Sequence, residues 1–487
     1  MTADVWVGLD LGTSGLKGVA VDASGRVVAR GRATYPTHHP EPGACEQDPT
    51  DWLTAVADVV HALAEQVAVD RWVALGLSAM LPTLVSVDAT GQPTGPAITW
   101  EDGRAEREGD ELRERLGADE LYRRSGQWVD GRYLLPMWLR LQQREPERAA
   151  RTAVLLSAKD YVVQRLTGIA VTDPSTASGV GCFDLVTGAW DVTLGADLAP
   201  GLPTVADSTT LLPLTADAAT WLGLPVGLPV AIGAADSVLG ALGMGVAEPG
   251  DVAYVAGTST VVLGVAARHV IDDDHRFLVT PTAVPGTWGL EMDLLATGAA
   301  FRWLASLVGA HDEADVLRLA AAADPAGAPL VLPYVAPGEQ GALWDPSLTG
   351  SVLGLHLGHG PGDLALGLVQ GIVVESRRCL AVLESHGFER RALHVAGGSA
   401  GDPWFRQQLA DATGRDVVAP VDGDSDYSAL GAAMVAARGA GIELPLAAAA
   451  TSTTTPDPSH AARWEDLAER LDRARSLVGR GVPSTGS

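Results

Sequence analysis

Apolar and polar positions along the chain alternate with period two in some stretches and with helical spacing in others, and the changes between them predict the elements. Residues 5–9 are an apolar run, 12–15 read as a turn, and 16–21 and 27–30 predict two further strands around a second turn at Ser24-Gly25. Three short strands in succession make an antiparallel start, unlike a dinucleotide-binding unit. Asp48 followed by Pro49 predicts a helix N-cap and first-turn proline, after which Trp52, Val56, Val59, Val60, Leu63 and Val67 fall at helical spacing. Residues 72–77 predict a buried strand, and the continued alternation of strands with helices defines an α/β chain. Residues 228–247 are almost unbroken apolar but glycine-rich, with Asp236 near the middle. A charge there would cost about 2.5 to 3.5 kcal/mol in a bilayer, so the segment is read as a buried element of a soluble domain. Near the end, 451–458 (TSTTTPDP) predicts a polar linker, 461–477 a charged amphipathic helix, and 481–487 a disordered tail.

Length and charge narrow the classes. At 487 residues the chain is too long for one ordinary core, so two domains and a small third element are expected. Sixty acidic residues against 34 basic ones give a net charge of −26, which repels phosphate backbones and anionic lipid and excludes nucleic-acid and membrane partners. Cys45, Cys182 and Cys379 are too far apart for a disulfide framework or a zinc site, and Asp4 and Asp10 interrupt the first apolar stretch where a secretory signal would lie. Both observations predict a cytoplasmic protein that starts at Met1.

Residues 9–21 (LDLGTSGLKGVAV) and 254–266 (YVAGTSTVVLGVA) echo one another, each with an apolar run entering and leaving a Gly-Thr-Ser turn, about half the chain apart. Two related domains whose turns present backbone N–H groups and hydroxyls could grip one polyphosphate from both sides. Neither turn is a Walker A loop, and each alone also reads as an ordinary hairpin turn. Lys17, just after the first turn, is one of only two lysines in the chain, the other being Lys159. Asp236 lies in apolar surroundings that raise a carboxylate's pKa, which suits a general base; a helix N-cap is the other reading of the same position.

The stretches 7–28 (VGLDLGTSGLKGVAVDASGRVV), 46–53 (EQDPTDWL), 97–105 (AITWEDGRA), 233–246 (GAADSVLGALGMGV), 255–260 (VAGTST), 332–346 (LPYVAPGEQGALWDP), 350–371 (GSVLGLHLGHGPGDLALGLVQG) and 395–414 (VAGGSAGDPWFRQQLADATG) resemble, in order, the FGGY carbohydrate kinases, most of all the xylulokinase and gluconokinase branches. The resemblance implies two ribonuclease-H-like domains of the actin, Hsp70 and hexokinase superfamily with an active-site cleft between them: 1–245 on the sugar side, 246–445 on the nucleotide side, and 446–487 as linker, C-terminal helix and tail. It implies ATP and Mg2+ as cofactors, Asp236 as catalytic base and Asp10 near the metal through water. Gly12, Thr13 and Lys17 would meet the transferring phosphate, Gly257 and Thr258 the inner phosphates, and Gly397, Gly398 and Ser399 the adenosine. Met80, Leu81, Asp102, Arg104 and Asp236 would form the sugar side.

The implied reaction is phosphorylation of a sugar primary hydroxyl, D-xylulose or a related ketose first, with a polyol or aldonate kinase and a catalytically weakened sugar sensor as alternatives. A homodimer is left open. The sugar side departs from the family. Where xylulokinases and gluconokinases carry Gly-Gln-Met-His-Gly, this chain has Ala79, Met80, Leu81, Pro82 and Thr83; Leu135 replaces a lysine three residues before Trp138, and Gln340 replaces the arginine of Gly-Glu-Arg. The lost histidine removes a polar contact to sugar.

Overall fold

The computed structural model describes residues 4–478 apart from 196, 197, 199, 295, 337–340, 344, 346, 347, 422–425 and 446–450. Strand β1 (Val5–Leu11) turns into β2 (Gly15–Asp22) and β3 (Val27–Thr34), and all three pair antiparallel. Helix α1 (Pro49–Gln66), N-capped by Asp48, packs on β2 and β3 and buries Trp52, Val56, Val59, Val60 and Leu63. Strand β4 (Trp72–Ala79) joins β1 in parallel; β5 (Leu211–Pro213) and β6 (Pro229–Ala235) complete a six-stranded sheet in the order β5-β6-β4-β1-β2-β3, and α2 (Asp236–Gly243) follows at once.

The second half repeats this plan. Strands β7 (Val252–Ala256), β8 (Thr260–Ala266), β9 (Leu278–Pro281) and β10 (Trp288–Leu294) are antiparallel neighbours. After the long helix α3 (Pro361–Ser385), β11 (Leu393–Gly397) pairs in parallel with β7, helix α4 (Pro403–Thr413) follows, and β12 (Val417–Pro420) lies parallel to β11. The order is β9-β10-β8-β7-β11-β12-β13, where β13 is Thr451–Thr454. Over β3-β2-β1-β4-β6 and β10-β8-β7-β11-β12 the two sheets match in pairing and direction, which is the structural form of the sequence echo; the antiparallel edge strand beyond comes earlier in the chain in the first sheet (β5) and later in the second (β13).

One expectation changes: residues 451–454 are the antiparallel edge strand β13 rather than linker. The amphipathic helix expected at 461–477 is α6 (Ala461–Val478), which buries Trp464, Leu467, Leu471 and Ala474 in the second core. A row of threonines has high strand propensity, and an edge position leaves its faces open enough to stay polar. Helix α5 (Tyr427–Gly439), late in the chain, packs on β1, β4 and β6 of the first sheet and against α2, so the chain crosses back between the halves. Its small face makes this close packing: Ala429, Ala432, Ala433 and Ala436 lie over Gly8 and Gly76. The tail at 481–487 lies outside the described residues.

Candidate active site

Asp236 owes its position to the end of β6. The register between β6 and β4 slips between Ala231 and Ala234, and at the slip Gly233 has φ +73°. A Cβ there would stand 1.6 Å from the Leu77 carbonyl oxygen, so only glycine fits, and the bulge re-aims the strand end. The Ala235 N–H donates to Ser175 Oγ at 2.9 Å; Ser175 donates to Asp173, which pairs with buried Lys159 at 3.3 Å. From the other side Ser428 Oγ on α5 donates to the Asp236 carbonyl at 3.0 Å. Asp236 is the first residue of α2 and Ala235 is the N-cap, so the capping alternative is not what the backbone adopts. Its carboxylate accepts the Ser237 N–H at 2.8 Å. Burial above all, then the Asp10 carboxylate, pushes its pKa up to about 7, with Ser237 pulling the other way and Asp293 adding to the rise.

Asp10 stands in β1 opposite Lys17 of β2 and accepts Ser78 Oγ at 2.8 Å. Burial raises its pKa against the opposing effects of Ser78 and Lys17. The turn beyond is held from several sides. Gly12 N–H donates to the Gly15 carbonyl at 3.0 Å and its own carbonyl accepts Tyr35 Oη. Thr13 offers its carbonyl to Gln47 Nε2 at 2.7 Å and its hydroxyl to Trp100 Nε1 at 3.2 Å. Lys17 Nζ is 3.8 Å from Asp426, the residue before α5, and Arg30 and Arg32 reach the same carboxylate at 3.5 and 3.0 Å. Gln47 also bonds Thr37 and accepts the buried Trp52 indole N–H at 2.9 Å. Gln47→Ala is therefore expected to cost about 1–3 kcal/mol through orphaned buried partners and to raise the KM for ATP by loosening the turn; thermal unfolding and steady-state kinetics check both.

The second turn meets the end of β11. Gly257 N–H donates to the Ser259 carbonyl at 2.7 Å, the Thr258 carbonyl accepts Ala299 N–H at 3.0 Å, and the Thr258 hydroxyl accepts Arg302 at 3.2 Å. Gly397, at φ +93°, passes so close to the neighbouring strand that a Cβ would stand 2.1 Å from the Ala256 carbonyl oxygen. Gly398 N–H donates to that same carbonyl at 2.8 Å, and Ser399 bonds Glu313, whose pKa burial raises. Residues 257–258 and 397–399 thus form one glycine-rich shelf at the ends of parallel neighbours.

Between the halves a cleft opens at Ser237, the residue after Asp236. Leu81, Pro82 and Trp100 form part of one wall and Thr280, Glu291 and Asp293 part of the other, with Ser237 and Arg132 between. Met80 is buried in the first core, and Leu81 takes the cleft-facing place. Asp102 and Arg104 are not among the lining residues. Their charges are paired with each other at 2.7 Å and, through Arg104, with Glu46 at 2.5 Å and Glu41 at 2.9 Å, while Asp102 also accepts the Cys45 N–H. Gln340 lies outside the described residues. Gln47, Arg132, Ser175, Glu291, Asp293 and Asp426 are not among the site residues expected from the sequence. A signal for Glu291 and Asp293 exists: in WGLEMDL, acids alternate with Leu290, Met292 and Leu294, which are buried. Burial raises the pKa of both acids; Asp293 adds to the rise at Glu291, and Arg132 opposes it at Asp293.

Among the described residues no three His, Cys, Asp or Glu side chains form a metal cage. The Asp10 carboxylate fits an ion that arrives on phosphate oxygens, since magnesium is commonly held by one or two carboxylates plus substrate phosphates. No helix among the described residues is long and apolar enough to cross a membrane.

Two halves of like topology, each with a glycine turn joining its first two antiparallel strands, have the architecture of the actin and hexokinase class of sugar kinases. The N-terminal domain of the FGGY family of carbohydrate kinases matches residues 5–243 and its C-terminal domain residues 252–440. The chain belongs to this family, whose members use ATP with Mg2+. It is 30% identical over 450 residues to xylulose kinase of Escherichia coli strain K12, covering 91% of each chain, and 26% identical over 447 residues to gluconokinase of Bacillus subtilis strain 168, covering 88% of this chain and 86% of that one. Among solved structures it is similar to xylulose kinase from Rhodospirillum rubrum, with TM-score 0.89 and 29% identity over 97% of this chain and 99% of that one. Gluconate kinase from Lactobacillus acidophilus shares the fold at TM-score 0.91 and 24% identity, covering 99% of each chain.

Proposed function

We propose that this sugar kinase phosphorylates a primary hydroxyl of a ketose, D-xylulose first, with Asp236 as the general base, in the cytoplasm. The observation that carries the reading is Asp236 itself, half-buried next to the cleft-lining Ser237, held by Ser237 and Ser428 and with its pKa pushed up to about 7. Ionised Asp236 takes the hydroxyl proton as the oxygen bonds the γ-phosphorus; the bond from that phosphorus to the β-phosphate oxygen breaks, and ADP leaves in line. Gly12, Thr13 and Lys17 receive the transferring group, Gly257 and Thr258 hold the inner phosphates, and Gly397, Gly398 and Ser399 border the adenosine. Asp10 would orient the hydrated magnesium ion, which neutralises phosphate charge when bound. Residues 1–245 and 246–445 supply the opposing walls, with α5 as a strut between them.

The sequence relatives named xylulose kinase support the ketose; the gluconokinase relative, together with the Arg132 guanidinium on the cleft wall, supports an aldonate as second reading. Product analysis by 31P NMR after incubation with ATP and D-xylulose tests the first. A phosphomonoester coupled to a CH2 group is expected, and inorganic phosphate alone would reject it.

A pH profile adds a second check. The base works only when ionised, so kcat/KM is expected to climb about tenfold per pH unit well below 7 and to level above it. A profile flat from pH 5 to 8 would remove Asp236 from the role.

A further inference from the structure

With Leu81 and Pro82 in place of the family's Met-His pair, one wall of the cleft has lost its imidazole. The facing wall carries what that wall lacks. Strand β10 sends Leu290, Met292 and Leu294 into the second core and, by its period of two, Glu291 and Asp293 into the cleft. Glu291 Oε2 already accepts Ser237 Oγ at 3.1 Å. Asp293 differs: its Oδ1 is closed to solvent and has no hydrogen-bond partner among the described residues. A carboxylate left underpaired is costly, and a ligand that donates to it where it lines the cleft recovers part of that cost on binding. Arg132, on the same cleft, is held by a two-pronged pairing with Asp130, Nε to Oδ1 at 3.1 Å and Nη2 to Oδ2 at 2.7 Å, which fixes the guanidinium in place.

We propose that Asp293, with Arg132 beside it, is the sugar-recognition pair that replaces the histidine absent at Pro82, and that it selects a neutral polyhydroxy substrate over an aldonate. Asp293 accepts a hydroxyl of the substrate, while Arg132 donates to a neighbouring oxygen. An aldonate brings a carboxylate toward Glu291 and Asp293 and the neighbouring Asp236, against the Arg132 guanidinium. Because Asp293 belongs to the second half and Leu81 to the first, the substrate is gripped from both walls at once. The inference rests on the sugar-kinase reading and names its substrate class.

The test uses the full chain, unmodified and as Asp293→Leu and Asp293→Asn. Asp293→Leu is expected to raise the KM for D-xylulose tenfold or more with the KM for ATP within twofold. Its melting temperature is expected not to fall, since the change removes an unsatisfied buried carboxylate. Asp293→Asn is expected to lower the inhibition constant of D-gluconate at least threefold by removing one like charge. A sugar KM within twofold of the unmodified chain in both variants overturns the proposal, as does a kcat/KM for D-gluconate equal to or above that for D-xylulose. If the unmodified chain phosphorylates no sugar, the kinase reading fails separately, and calorimetry with D-xylulose decides the inference. Binding tenfold weaker to Asp293→Leu sustains it; equal binding, or none to the unmodified chain, overturns it.

Discussion

Asp236→Asn is expected to lower kcat by about two to four orders of magnitude while leaving the KM values for sugar and ATP within a few-fold. The amide keeps the shape of the carboxylate, and its oxygen can still accept the Ser237 N–H, so the helix start and the Ser428 contact to the backbone carbonyl survive. What it loses is the ability to take a proton at the moment the sugar oxygen attacks. Removing a partly desolvated carboxylate also relieves the electrostatic crowding with Asp10 and Asp293, so the variant is expected to be no less stable than the parent. Steady-state kinetics with a thermal melt on the same sample checks both halves. A variant with parental kcat would show that another group takes the proton.

Gly8→Val is expected to cost the first unit about 3 kcal/mol or more and to lower its melting midpoint by about 6–12 °C. A Cβ at Gly8 would stand 1.8 Å from the Ala429 carbonyl oxygen and 2.6 Å from the Ala433 nitrogen, both backbone atoms of α5. No rotamer change relieves such a contact; the helix itself must lift from β1. The consequence reaches the site, because α5 carries Ser428 against the Asp236 carbonyl and follows Asp426, the common partner of Lys17, Arg30 and Arg32. Activity is therefore expected to fall with stability. Gly103→Ala, where nothing lies within 4 Å of the new carbon, is the control. An unchanged melt in Gly8→Val would mean that α5 does not lie on the first sheet.

What the sequence displays and what it conceals follow the range of the interactions. The β1-β2-β3 meander, the Asp48 cap and the paired Gly-Thr-Ser turns are local, so turn chemistry and period suffice to find them. The return of α5 to the first sheet is a contact between residues 8 and 429 and depends on glycine meeting alanine, which no periodic signal marks. The site shows the same division. Asp10, the two turns and Asp236 sit in recognisable strings, whereas the cleft wall is assembled from distant pieces. WEDGR at 100–104 and WVDGR at 128–132 share one pattern and the same Asp-Arg fork, yet the first arginine is tied to Glu41 and Glu46 while the second faces the cleft. Spacing alone cannot rank the two; only the neighbours do.

The central claim, that the cleft transfers phosphate to a sugar rather than merely hydrolysing or binding ATP, is tested most directly by ADP release with ATP and Mg2+, over a panel of ketoses, polyols, aldonates and deoxy sugars. Little ADP is expected without sugar, and strong stimulation by D-xylulose or a closely related neutral sugar. ADP release that is the same with and without every sugar in the panel would contradict it.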